Sequence, residues 1–327
     1  MTRKSAPTAG SGPAPSSGDA DEPAVGGTLR APGAVVLALV ALGWLAAMVW
    51  SARGGISATL GTAVTVAAVA LPVLVSAALV AGAAVGLLAL RPLDRRGAGR
   101  TGVRLLVATG AGLLLGLAAA LVLAVGFGDG PTAMVLAGTT AAAATVGGVV
   151  AGAGDGRVVG AVVCSGLAVI AVVSVLNRFQ SDLLSLLGLG DTQQSQLSAF
   201  TWLTRGVALV CGLVAGLVAF GYLRWTRRRP NGDNLSRPAP AHLLAGAGPG
   251  LLLLIAEVLT RTAGAPVLRL AGAVSEADRI AQNLVGAARV NTGLIVLFVG
   301  AFTALVAYGR TLGPTSPDPA PDTDPNP

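Results

Sequence analysis

Polar and apolar positions in this chain are segregated into blocks. Residues 34–50 and 103–127, for example, run through Ala, Val, Leu and Gly with at most a residue or two of polarity, and the arginines collect in the short segments between such blocks. A bilayer's hydrocarbon core takes roughly 20 apolar residues to cross as a helix, and these blocks have that length. The pattern predicts eight spans, over residues 33–51, 61–90, 103–126, 132–152, 158–177, 200–224, 242–262 and 291–310. Pro72 near the middle of the second should kink or tilt it, because proline supplies no backbone N–H. The tight turns GFGDGP and AGAGDGR join spans three, four and five, which are expected to pack as antiparallel neighbours.

The fold class that follows is all-α: a polytopic transmembrane bundle of eight helices with short amphipathic helices on its outer side. Residues 1–30 and 312–327 read as disordered tails, rich in Pro, Gly, Ser and Asp, flanking a membrane domain over 31–311. The first apolar block has no small-residue cleavage site after it, so it is expected to be a retained helix.

Two connections are too long to be turns. Residues 178–199 contain FQSDLLSLLGLG, whose leucines could line one side of a short helix lying on the membrane. Residues 263–290 carry Ser275 ahead of Glu276 and Asp278, a capping pattern, and then Ile280, Leu284, Val285 and Ala288 on one face. Arg279, Asn283 and Arg289 would face away from that stripe. The expectation is a separate surface helix over 275–289, an outer cap that rests on the bundle or docks a partner. Glu276, Asp278, Arg279 and Asn283 are its candidate contact residues.

Charge supplies orientation. Arg91, Arg95, Arg96, Arg100 and Arg104 follow span two, and Arg224, Arg227, Arg228, Arg229 and Arg237 follow span six. With eight spans both groups fall on the side that holds the two termini, and an arginine excess marks the cytoplasmic side. Trp50 and Trp202 then lie at outer span ends, and Tyr222, Trp225 and Tyr308 at inner ones, where amphipathic rings prefer to sit. Composition fits this reading: 53% of the 327 residues are hydrophobic and 11% charged, too little polar surface to coat a soluble particle. The net charge of +7 flanks apolar blocks, which fits an anionic leaflet and excludes nucleic acid as a partner. Lys4 is the one lysine among 22 basic residues, a bias expected of a GC-rich bacterial genome, so the expected location is a bacterial plasma membrane.

Candidate chemistry is sparse. Gly126-Phe127-Gly128-Asp129 matches the short GxGD pattern of intramembrane aspartyl proteases, but that chemistry needs a second carboxylate close by at membrane depth. Asp94 falls at the opposite face, and Asp182 and Asp191 in an outer loop. His242 is the sole histidine, and Cys164 and Cys211 sit inside apolar blocks as small packing residues, so no catalytic, cofactor or metal site is expected. Gly82/Gly86, Gly112/Gly116 and Gly212/Gly216 are GxxxG pairs that signal close helix packing, and the cluster Gly246, Gly248, Pro249, Gly250 reads as a frayed or unwound start of span seven.

The remaining candidates are intramembrane charges: Arg205 in span six and Glu257 in span seven, with Arg261 one turn beyond. Ionisable groups at that depth are costly and mark a substrate or ion path unless they form a structural pair. Arg205 and Glu257 lie at matching depths and are expected to pair. The expected function is non-enzymatic and transport-type, passing a small solute or lipid near spans six and seven. The alternative is an accessory or scaffold of cell-envelope assembly whose outer loops dock a protein partner.

Overall fold

A computed structural model describes residues 33–57, 63–96, 101–127, 130–186, 193–228, 238–272 and 276–311. Both expected tails lie outside these residues, as do Gly128, Asp129 and Ser275. Ten helices make up the described chain: α1 (Ala34–Ser57), α2 (Ala63–Arg96), α3 (Thr101–Phe127), α4 (Pro131–Ala153), α5 (Gly156–Arg178), α6 (Gln180–Leu186), α7 (Gln193–Arg227), α8 (Pro238–Thr262), α9 (Ala265–Gly272) and α10 (Glu276–Gly309). No strand occurs among the described residues. Eight of the helices are long and apolar enough to cross a membrane: α1 to α5, α7, α8 and α10. The protein is therefore a multi-pass membrane protein with an all-α bundle.

The eight spans form two groups of four, α1–α4 and α5, α7, α8, α10, with the same pairing in each. The first and second, second and third, third and fourth, second and fourth, and first and third spans touch, while the first and fourth do not. The groups meet chiefly where α2 lies against α5 and α8. This puts α2 at the centre: 72% of its spanning segment is buried, against 17% for peripheral α3. Leu71, Leu74, Val75, Leu79 and Leu90 of α2 are all at or below 2% exposure.

Small residues set the spacing. A β-carbon on Gly82 would fall 2.0 Å from the Ala144 carbonyl oxygen, and one on Gly147 would fall 2.1 Å from that of Leu79, so α2 and α4 touch backbone to backbone. Gly112 and Gly116 meet Ala144 and Ala141 in the same way. The second group repeats the device, with Gly212 and Gly216 against Val299 and Gly300, and Gly246 and Gly250 against Gly300 and Leu297. The three GxxxG pairs thus pack within the chain.

Seven hydroxyls along the spans are satisfied locally, whereas that of Thr109 in α3 is buried without a partner among the described residues. Ser76, Thr139, Thr140, Thr145, Ser165, Thr204 and Thr260 each donate to the carbonyl four residues back at 2.6–2.9 Å. In hydrocarbon this back-bonding covers donors that water would otherwise satisfy.

Several expectations need correction. α4 packs on α2 and α3 and meets α5 only slightly, so the turn between α4 and α5 links the two groups instead of an antiparallel pair. Residues 276–289 form no separate surface helix; they are the first turns of the 34-residue α10, which continues unbroken into the last span. Their apolar stripe faces outward, with Ile280 52%, Leu284 67% and Val285 48% exposed, because a lipid-facing span also needs apolar residues on its rim. The short helix outside that span is α9, where buried Val267 packs against Ala68 of α2. The leucine-rich segment after α5 does form a helix, α6. Nor is α8 frayed or unwound at its glycine cluster: it is continuous from Pro238 with Pro249 inside it, because Gly246 and Gly250 are the contact surface for α10.

Candidate functional site

Glu257 on α8 is buried, and its Oε1 accepts a hydrogen bond from Nε of Arg261, one turn on, at 2.7 Å. The two face Gly286 of α10. A β-carbon there would stand 2.9 Å from Arg261 Nη2 and 3.3 Å from Glu257 Oε1, so a glycine at this position leaves room for the pair between two helices. Three residues along α10, half-buried Arg289 feels the attraction of the Glu257 charge and the repulsion of Arg261. Arg289 makes no hydrogen bond or ion pair with any described residue.

Depth follows from the span limits. Glu257 is five residues from the end of the α8 span, which closes at Thr262, and Arg289 seven from the start of the α10 span at Gln282. At 1.5 Å per residue they lie roughly 8 and 10 Å in from that end of the bundle. The Arg261 side chain, 52% exposed, leads from Glu257 towards the rim. Glu257, Arg261 and Arg289 together carry a formal charge of +1 near that end of the bundle.

Arg205 does not join this cluster. It is exposed, and its guanidinium lies over the Trp202 ring, 5.8 Å from the centroid. The expected Arg205–Glu257 pair is absent because α8 turns this face towards α10, whose glycines let it approach, and the neighbour within the same helix already fills the carboxylate. Asn283 is exposed on α10, whereas the side chains of Glu276, Asp278 and Arg279 lie outside the described residues. The residue missed as part of the site is Arg289. Its signal was available: the charge, the small Gly286 one turn earlier, and the absence of any breaker between 276 and 309.

At the opposite end, α7, α8 and α10 are joined by a stack of rings. His242, 1% exposed, stacks on Tyr308 at 4.5 Å and tilts against Phe220 at 5.9 Å. Arg224 lies over Phe220 and Arg227 over Tyr308, at 5.9 and 5.7 Å. Between the two four-span groups, a cavity of about 30 Å³ lies beside Ser76, Gly166, Pro249 and Leu252. It has the volume of a single water. Cys164 and Cys211 are free thiols, and no group of His, Cys, Asp or Glu among the described residues could hold a metal. No protein-family model, no curated protein and no solved structure matches the chain.

Proposed function

We propose that this is a non-enzymatic, transport-type protein of a bacterial plasma membrane, with both termini cytoplasmic, and that it handles a small solute or lipid bearing negative charge. The observation that carries the reading is the charge excess at Glu257, Arg261 and Arg289. The buried carboxylate is taken up by Arg261, and Arg289 on α10 has no hydrogen-bonding partner among the described residues. A charge at membrane depth is expensive unless it is paired or faces a polar path, and a spare guanidinium there selects for an anion. The path accordingly runs between α8 and α10, and Arg205 has no part in it. The repeated four-span groups, meeting at a small mid-membrane cavity beside Pro249, fit transporters built from two like halves.

The test uses a chain with Cys164→Ala and Cys211→Ala and a single cysteine at Leu254 or Val290, beside the charged cluster. A membrane-impermeant thiol reagent should label these positions, phosphate or short-chain phosphatidylglycerol should slow labelling, and Arg289→Gln should abolish that protection. Cysteines inert from both sides would overturn the transport reading. They would leave the alternative, an accessory or scaffold of envelope assembly. One observation favours that alternative: backbone-close glycine contacts and self-satisfied hydroxyls make a tightly packed frame.

A further inference from the structure

An open groove of about 550 Å³ runs between α7 and α10 at the end of the bundle opposite the charged cluster. Its walls are apolar: Leu213, Leu217 and Phe220 from α7, Phe302 and Val306 from α10. Leu213, Leu217, Phe302 and Val306 are 48%, 55%, 69% and 39% exposed, so protein leaves them uncovered. At its mouth stand Arg224 of α7 and Arg310, the residue just past the end of α10, both exposed. The α7 span closes at Arg227 and the α10 span at Gly309, so both guanidiniums sit at the level where hydrocarbon gives way to headgroups. Neither forms an ion pair with a described residue. From Leu213 to Arg224 the groove is roughly 16 Å long at 1.5 Å per residue, and one leaflet's hydrocarbon is about 15 Å deep.

We infer that this groove is a binding site for one anionic phospholipid of the leaflet at the arginine-rich end, with an acyl chain along α7 and α10 and the phosphate between Arg224 and Arg310. The occupant follows from the combination. A groove that was apolar throughout would accept any lipid, and arginines without a groove would attract a diffuse ion atmosphere. A one-leaflet channel ending in two cations that no described residue pairs selects a chain attached to a phosphate. The Thr311 hydroxyl, also at the mouth, donates to the Tyr308 carbonyl at 2.6 Å and is taken up within the chain. The guanidiniums therefore supply the recognition. Arg224 is steadied for that role by its position over Phe220, which braces one side of the groove.

The experiment is native mass spectrometry of the full chain released from micelles containing phosphatidylglycerol or phosphatidylcholine of identical acyl chains. Wild type should retain one phosphatidylglycerol in preference to phosphatidylcholine. The double variant Arg224→Gln/Arg310→Gln should lose about fivefold per arginine, roughly 25-fold in all, the weight of two juxtamembrane charges. Arg178→Gln/Arg205→Gln removes the same charge at the other end and should retain lipid as wild type does. Val306→Trp, which fills the groove and keeps both arginines, should also release the lipid. Each variant is checked by hydrogen exchange for an intact bundle. Equal retention of the two lipids, an unchanged Arg224→Gln/Arg310→Gln variant, or competition by glycerophosphate as strong as by the whole lipid would overturn the inference. So would lipid that binds only after residues 314–327 are deleted, because the acidic tail would then be the occupant.

Discussion

Replacing Glu257 by glutamine keeps the shape of the side chain and removes the one negative charge of the cluster. The carboxylate is nearly buried, while half of its partner Arg261 is exposed, so the interaction is neither a surface pair nor a fully buried one. Exposed i,i+4 pairs are worth about 0.3–0.5 kcal/mol, and hydrogen bonds to charged groups about 1.5–3 kcal/mol. Arg261 can follow its exposed side to the rim once released, which limits the loss on its side. Arg289 is deeper in α10 and would be left facing Arg261 with nothing between them to balance the two charges. An uncompensated arginine at a span's centre costs roughly 2.5–3.5 kcal/mol on insertion scales, and less towards the rim. The expected loss for Glu257→Gln is about 2 kcal/mol.

The arginines should behave non-additively. Arg261→Gln costs about 1 kcal/mol, because Arg289 remains to neutralise the carboxylate. Arg289→Gln costs less, since Arg261 keeps its hydrogen bond at 2.7 Å. Removing both strands a buried carboxylate, which raises the loss to about 3 kcal/mol, more than the singles summed. The assay is reversible unfolding of the purified chain in mixed micelles, with the four-member cycle measured together. An additive cycle, or a Glu257→Gln chain as stable as wild type, would refute the electrostatic coupling of Arg289 to the Glu257–Arg261 pair.

Gly147→Ala drives a methyl to 2.1 Å from the Leu79 carbonyl oxygen and should destabilise by about 2 kcal/mol in the same assay. Gly110→Ala, with nothing within 4 Å of the new carbon, should stabilise by about 0.5–1 kcal/mol, and a loss there would show that α3 is not free on that face. Single cysteines at Ser195 and Gly232 should react with an impermeant reagent from opposite sides of the membrane; labelling from one side would remove the alternating topology. A spin label at Leu284, 67% exposed, should be relaxed by lipid-soluble oxygen more than by a water-soluble nickel complex, because α10 carries it along the bundle's outer face. The reverse ranking would restore a surface helix over 275–289.

The spans were legible because membrane crossing is a one-dimensional requirement: enough apolar residues in a row, whatever lies beside them. All eight predicted blocks coincide with long helices, and their ends shift by three residues or fewer except at the starts of the second span, which moves from 61 to 68, and of the last, which moves from 291 to 282. There the sequence carries two signals of equal local quality. The capping pattern at Ser275 argued for a new helix, and the apolar block beginning at 291 argued for a separate last span. A helix passes through polar residues at its rim without interruption, since arginine there reaches a partner or the interface, so one continuous α10 satisfies both signals. The same reasoning accounts for α8, where glycine and proline suggested a broken helix. Small residues break helices in water but bring them together in lipid, and Gly246 and Gly250 do the second.

The charged site separates what counting residues can give from what only packing can. Arg205 and Glu257 do lie at similar depths, because depth is the number of residues from a span end multiplied by a constant rise. Pairing depends also on the direction in which each side chain leaves its helix and on which helix lies there. α8 spends one face on α10 through Gly246 and Gly250, and Glu257 opens towards Gly286 on the same partner. α7 runs beside α10 in the parallel sense, with Gly212 against Val299 and Gly216 against Gly300, and Arg205 lies over Trp202 of its own helix. The carboxylate therefore belongs to the seam between α8 and α10, and the second cation had to come from α10. The glycine at 286 is the link between pattern and site: without a β-carbon there, α10 can close on a charged pair, and the next turn places Arg289 where it feels both charges.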